Sequence, residues 1–178
     1  MKYPWKQAIL TGVIVGLFAI FAFTFADALN KKFAWGVNPS TIRGLTGLLT
    51  PIILGTGIYT GMQNIKRHNN GILTYKQAVA AGIFIAIITA VIVAILGLIY
   101  VIIVNPRYSD YMVAEGEKAM IAEGKSPEQV AAGTADLQKQ FSVPMQLLQA
   151  LVGQSASGTL ISVVMALFIR TKKTKNQK

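Results

Sequence analysis

The chain has 178 residues, of which 53% are hydrophobic and 13% are charged, whereas soluble domains carry about 25% charged residues. This composition excludes an ordinary soluble domain and indicates a chain embedded largely in lipid. The net charge of +10 does not indicate nucleic-acid binding, because the basic residues adjoin apolar segments and no aromatic residues alternate with them to stack on bases. The absence of cysteine excludes disulfide bonds and thiolate metal sites.

Four segments are long and apolar enough to cross a hydrocarbon core, which takes roughly 20 residues. We predict spans at residues 7–29, 42–62, 77–104 and 144–169. The predicted fold is an all-α integral membrane protein, a single domain of residues 1–178 in which four transmembrane helices form a bundle. Lys2 and Lys6 before the first span also fit a secretory signal peptide, but the apolar run exceeds the about 7 to 15 residues of a signal-peptide core.

The distribution of basic residues predicts the orientation of the spans, because Lys and Arg near span ends stay on the cytoplasmic side. The N-terminus, the connection after the second span and the basic tail of residues 170–178 together hold ten basic residues. The loop of residues 105–143 holds six of the seven acidic residues. We therefore expect both termini in the cytoplasm and this loop outside, with anionic lipid headgroups beside the basic cytoplasmic segments.

The second span is rich in glycine and threonine around Pro51. Proline removes a backbone hydrogen bond, so this helix is expected to kink. Thr56 and Thr60 lie in the same span, and together with Gln154 of the fourth span they are the candidates for a polar pathway. The alternative role for Gln154 is a hydrogen bond between helices.

The connection after the second span contains an Asn-Asn-Gly turn and the only histidine, His68. Asn70 and Gly71 suit a tight turn, and Thr74 with Gln77 forms a capping box at the next helix start. His68 has no nearby His, Cys or carboxylate partner in the sequence, so neither a metal site nor a catalytic role is predicted.

The third span carries small residues at successive i+4 positions: Ala78, Gly82, Ala86, Ala90 and Ala94. Such a stripe lets another backbone approach closely. We expect it to form a helix contact within the bundle, or alternatively with another protomer, whereas Ile85 lies off the stripe.

The outer loop is predicted to contain a short helical hairpin. One helix runs from about Tyr108 to Ala122, Gly124 ends it, and Ser126 with Pro127 starts the second. Gly124-Lys125-Ser126 is not a phosphate-binding loop, because Ala119 stands where the motif needs glycine and no strand precedes it.

The order of these features resembles a family of small bacterial membrane proteins, domain of unknown function 4199. The resemblance is carried by "NNGILTYKQAVAAG" at 69–82, "NP" at 105–106, "EGEKAMIAEGKSPEQV" at 115–130 and "FSVPMQLL" at 141–148. It implies a bacterial inner-membrane location and brings no established activity, substrate or catalytic residue.

Two functions fit these observations. The first is a non-enzymatic structural or interaction subunit, as a homo-oligomer or with another membrane protein. The second is a small oligomeric channel or transporter with spans two and four lining the path. An enzyme is not expected, because a single histidine and no cysteine offer no nucleophile and base pair. No cofactor is predicted.

Overall fold

A computed structural model describes the backbone of residues 4–33 and 39–171 and the side chains of residues 4–25 and 44–171. This part of the chain is helical and contains no strand. The elements in order are α1 (Trp5–Phe33), α2 (Pro39–His68), α3 (Tyr75–Ile99), a π-helical turn (Tyr100–Val104), α4 (Tyr108–Ala122), α5 (Pro127–Gln140) and α6 (Val143–Ile169).

Four helices are long and apolar enough to cross a membrane: α1, α2, α3 with its π-helical turn, and α6. The predicted all-α class with four such helices is therefore confirmed. The second helix continues through Pro51 and ends at His68, six residues beyond the predicted end of the span. The prediction followed the apolar run, whereas the helix extends into a last turn of Lys66, Arg67 and His68, where positive charge suits the helix dipole.

Helix α3 is central, since it packs against α1, α2 and α6. Its five small residues at i+4 spacing are buried, and Gly82 and Ala86 lie against α6. A Cβ added at Gly82 would meet Ser162, and one added at Gly158 would meet Ala86. The hydroxyl of Ser162 donates to the carbonyl of Gly158 at 2.5 Å, so its polar group is satisfied inside this contact.

Ile85 lies beside the small-residue stripe, as its position in the sequence predicts, but it also contacts protein. Ile85 is fully buried, and a Cβ added at Gly61 of α2 would meet its Cδ1 atom. Because α3 has neighbours on several sides, residues beside the small-residue stripe also contact protein. Sequence hydropathy does not distinguish such a face from one that contacts lipid.

One end of the helices, here called the terminal end, carries both Pro4 and Thr171. There α2 stops at the turn, where Asn70 has φ 52° and Gly71 has φ 80°. The N–H of Gly71 donates to the carbonyl of Lys66 at 2.9 Å, the bond that closes a helix in a Schellman motif. Helix α3 then begins with the capping box of Thr74 and Gln77.

The same turn is hydrogen-bonded to the end of α6. The N–H of Leu73 donates to Oγ1 of Thr171 at 2.9 Å, and that hydroxyl donates to the carbonyl of Gly71 at 2.9 Å. The N–H of Thr171 donates to the carbonyl of Leu73 at 2.8 Å. Lys66 donates to the carbonyl of Ile169 at 2.9 Å, which satisfies a terminal carbonyl of α6. These bonds fix the α2–α3 turn to α6.

The opposite end, here called the hairpin end, carries α4 and α5. The two helices pack together, since Cβ atoms added at Gly116 and Gly133 would meet Leu137 and Met120. Ser126 and Gln129 form the capping box of α5. Tyr108 and Phe141 are buried in an aromatic cluster with Phe23 of α1 and Tyr100. This cluster holds the hairpin on the ends of α1 and α3.

Candidate functional site

A cleft of about 440 Å³ opens between α2 and α6 near the hairpin end. We call it the α2–α6 cleft and define it by its lining residues: Phe23, Thr46, Gly47, Thr50, Pro51, Val93, Tyr108, Phe141, Gln146, Gln149, Ala150, Gly153, Gln154 and Ser157. None of these residues is charged, and seven of them carry an uncharged polar group in the side chain. The cleft therefore suits a neutral, hydrogen-bonding occupant with apolar surface.

The cleft exists because α2 and α6 separate towards the hairpin end. Nearer the terminal end they touch: a Cβ added at Gly55 would lie 3.7 Å from Ile161 and 3.9 Å from Met165. A Cβ added at Gly47 or Gly153 would have nothing within 4 Å. Another chain can therefore approach the backbones of both helices closely along the cleft.

The polar side chains in the cleft differ in whether they hydrogen-bond to other residues of the chain. Gln146 is held by the hairpin end, since its Nε2 donates to Oγ of Ser109 at 3.1 Å and to the carbonyl of Phe141 at 2.6 Å. The side chains of Gln149, Gln154 and Ser157 make no hydrogen bond within the described part of the chain. The side-chain amides of Gln149 and Gln154 are therefore available to hydrogen-bond with a partner outside the chain.

The structure brings Gln154 into the cleft but does not bring Thr56 and Thr60 there. Thr56 lines a separate groove with Ile161 and Met165, and its hydroxyl donates to the carbonyl of Ile52 at 2.9 Å. The hydroxyl of Thr60 donates to the carbonyl of Gly57 at 3.0 Å. Both threonines are satisfied within their own helix.

Thr46 and Thr50, respectively ten and six residues before Thr56, lie in the cleft instead, with Gln146 and Gln149. The sequence analysis placed these two threonines only in a threonine-rich span around Pro51 and did not name Gln146 or Gln149. The sequence did contain a signal for the glutamines, because a side-chain amide in an apolar span is uncommon and usually hydrogen-bonds to another polar group. No such signal marks the threonines, since threonine often bonds to its own helix.

The two remaining candidates, His68 and Gly124-Lys125-Ser126, lie where helices end or begin. His68 is exposed, and its Nδ1 lies 2.8 Å from the carbonyl of Asn64. Ser126 caps α5, and Lys125 pairs with Glu123 at 3.1 Å. Among the described residues, no group of three or more His, Cys, Asp or Glu side chains could hold a metal ion.

Four apolar helices of spanning length, joined by short connections and one helical hairpin, are the features of a multi-pass membrane protein. The family model "Protein of unknown function (DUF4199)" matches residues 5–171, and the chain belongs to this family. The resemblance seen in the sequence is therefore confirmed. Neither the comparison with curated proteins nor that with solved structures finds a match.

Proposed function

We propose that this protein is a non-enzymatic interaction subunit of a bacterial inner membrane, and that it holds one membrane-spanning helix of a partner in the α2–α6 cleft. The observation that carries the proposal is the unbonded Gln154 beside the open backbone of Gly153. Small residues that admit a second backbone and amides that hydrogen-bond across the contact are the two features of helix association in membranes.

The cleft has the shape that such an occupant needs. On α6 it extends from Gln146 to Ser157, about 17 Å at 1.5 Å per residue, which is half of a typical hydrocarbon thickness. A single helix lying between α2 and α6 would therefore meet Gln149 and Gln154 about one and a half turns apart. The partner helix is supplied by a second copy of this chain or by a different membrane protein.

A small channel or transporter is the second candidate, because the cleft reaches from the hairpin end to Gln154 near the middle of α6. The terminal half of the protein favours the first candidate. There Leu54, Ser162 and Ala166 are fully buried, so the cleft ends against packed side chains. A transport path would require α2 and α6 to separate along this half as well.

Cysteine crosslinking tests the proposal cleanly because the chain has no cysteine of its own. A Gly153→Cys variant places a single thiol in the cleft, and we expect a thiol-anchored photo-crosslinker in native membranes to give one defined product. The matched control is Phe168→Cys on the same helix, where the side chain is 82% exposed and is expected to meet lipid.

The Gln154→Leu substitution in the Gly153→Cys background should weaken the crosslink, because the partner then loses a hydrogen bond. A product of twice the chain mass identifies a second copy, and any other mass identifies a different protein. Equal crosslinking from both thiols would reject the proposal. Solute flux through liposomes that contain the purified protein alone, without a Gly153 crosslink, would favour the transporter.

A further inference from the structure

A second cavity, of about 440 Å³, lies at the terminal end between the start of α1 and the end of α2. We call it the terminal pocket; its lining residues are Pro4, Trp5, Lys6, Gln7, Asn64, Ile65, His68 and Asn69. We propose that the terminal pocket binds the phosphate headgroup of an anionic phospholipid. The inference is independent of the function proposed for the α2–α6 cleft, which lies towards the other end of the helices.

The electrostatics of this end favour an anion. Lys6 lines the pocket together with His68, Asn64 and Asn69. No aspartate or glutamate occurs in residues 4–25, 57–83 or 158–171, the segments that meet there. Lysine adjacent to an anionic lipid surface is attracted to it, and no aspartate or glutamate of these segments competes for Lys6.

The start of α1 adds donors to the same pocket. The first backbone bond of this helix runs from the N–H of Ala8 to the carbonyl of Pro4, at 3.0 Å. The N–H groups of Trp5, Lys6 and Gln7 precede it and have no partner within the helix, which is the situation that favours anions at helix N-termini. Backbone donors, a lysine and two asparagines thus surround one cavity.

The surroundings favour a lipid over free phosphate. Trp5 packs edge-on against Phe84 of α3, with ring centroids 4.7 Å apart, yet remains 54% exposed. A fixed, exposed tryptophan is typical of the headgroup level of a membrane. Leu10, one turn beyond Lys6, is 56% exposed, so an acyl chain can follow the helix while the headgroup occupies the pocket.

The test uses the full chain purified in detergent, with thermal unfolding and lipid retention in native mass spectrometry as the two measurements. We expect added phosphatidylglycerol, but not phosphatidylcholine, to raise the unfolding temperature and to remain bound. Lys6→Gln should weaken that binding about fivefold, the contribution of one lysine near an anionic surface. Lys76→Gln is the matched control, because Lys76 is exposed at the same end but does not line the pocket.

Three results would overturn the proposal. Equal weakening by both substitutions would show diffuse attraction instead of a site. Stabilisation by inorganic phosphate to the same extent as by phosphatidylglycerol would assign the pocket to a free anion. Equal retention of phosphatidylglycerol and phosphatidylcholine by the unsubstituted protein would show that the negative charge of the lipid is not recognised.

Discussion

The contact between α3 and α6 predicts that alanine substitutions at two glycines of α6, Gly153 and Gly158, will differ in their effect on stability. Gly158 lies against α3, and a Cβ added there would meet Cβ of Ala86 and come within 3.3 Å of Cδ2 of Leu54. A Cβ added at Gly153, little more than one turn away, would meet nothing within 4 Å. Gly158→Ala should therefore destabilise the protein, whereas Gly153→Ala should not.

The expected difference follows from two terms. Both substitutions gain helix propensity, about 1 kcal/mol for alanine over glycine, so this term cancels between them. Only Gly158→Ala adds an atom to a filled contact, and overpacking costs about 1–3 kcal/mol. On the scale for soluble domains of this length, where 1 kcal/mol shifts the unfolding temperature by about 2–4 °C, the two variants should unfold roughly 2–12 °C apart.

Thermal unfolding in one detergent, with both variants purified in parallel, measures this difference. Ile87→Leu, on an exposed part of α3, controls for handling and should match the unsubstituted protein. If Gly158→Ala unfolds at the same temperature as Gly153→Ala, α6 does not lie against α3 as described. If Gly158→Ala changes only the oligomeric state, the small-residue stripe joins two protomers instead of two helices of one chain.

Three further predictions concern the two ends of the protein. Gly71→Val should lower the yield of folded protein, because valine does not adopt φ near 80°, whereas His68→Ala should leave the yield unchanged; equal yields would contradict this account of the turn. Thr171→Val should speed amide hydrogen exchange in the α2–α3 turn, because one N–H there loses its acceptor, while Thr171→Ser should keep the original rate. A cysteine in place of Lys125 should react with an impermeant thiol reagent in intact spheroplasts of a bacterial host, and one in place of Lys76 should not; the reverse pattern would invert the expected orientation.

Features that depend on neighbouring residues could be predicted from the sequence. The capping box of Thr74 and Gln77 and that of Ser126 and Gln129 are present in the structure. The first helix of the hairpin, α4, was expected from about Tyr108 to Ala122 and has those ends. Each of these signals consists of residues within a few positions of one another, so the local chain determines the outcome.

Features that depend on which helices become neighbours could not be predicted in this way. The stripe containing Gly82 indicates a close backbone contact but does not say that α6 supplies the other side. The burial of Ile85 was not predicted, because the sequence pattern of an isoleucine that contacts lipid is the same as that of one that contacts protein. The Leu73–Thr171 hydrogen bonds join residues 98 positions apart. No sequence pattern around a threonine that follows a helix predicts such a distant partner.

The π-helical turn of Tyr100–Val104 influences where the α4–α5 hairpin lies. A π-helical turn holds one residue more than an α-helical turn, and here Ile102, Ile103 and Val104 are all more than half exposed. Deletion of one of these three exposed residues would let the turn close with ordinary α-helical bonds and would remove no buried side chain. The exit from α3 would then rotate by about 100° and carry Tyr108 away from Phe23. The position of the α4–α5 hairpin thus depends on the number of residues in this turn as well as on the contacts of Tyr100 and Val101.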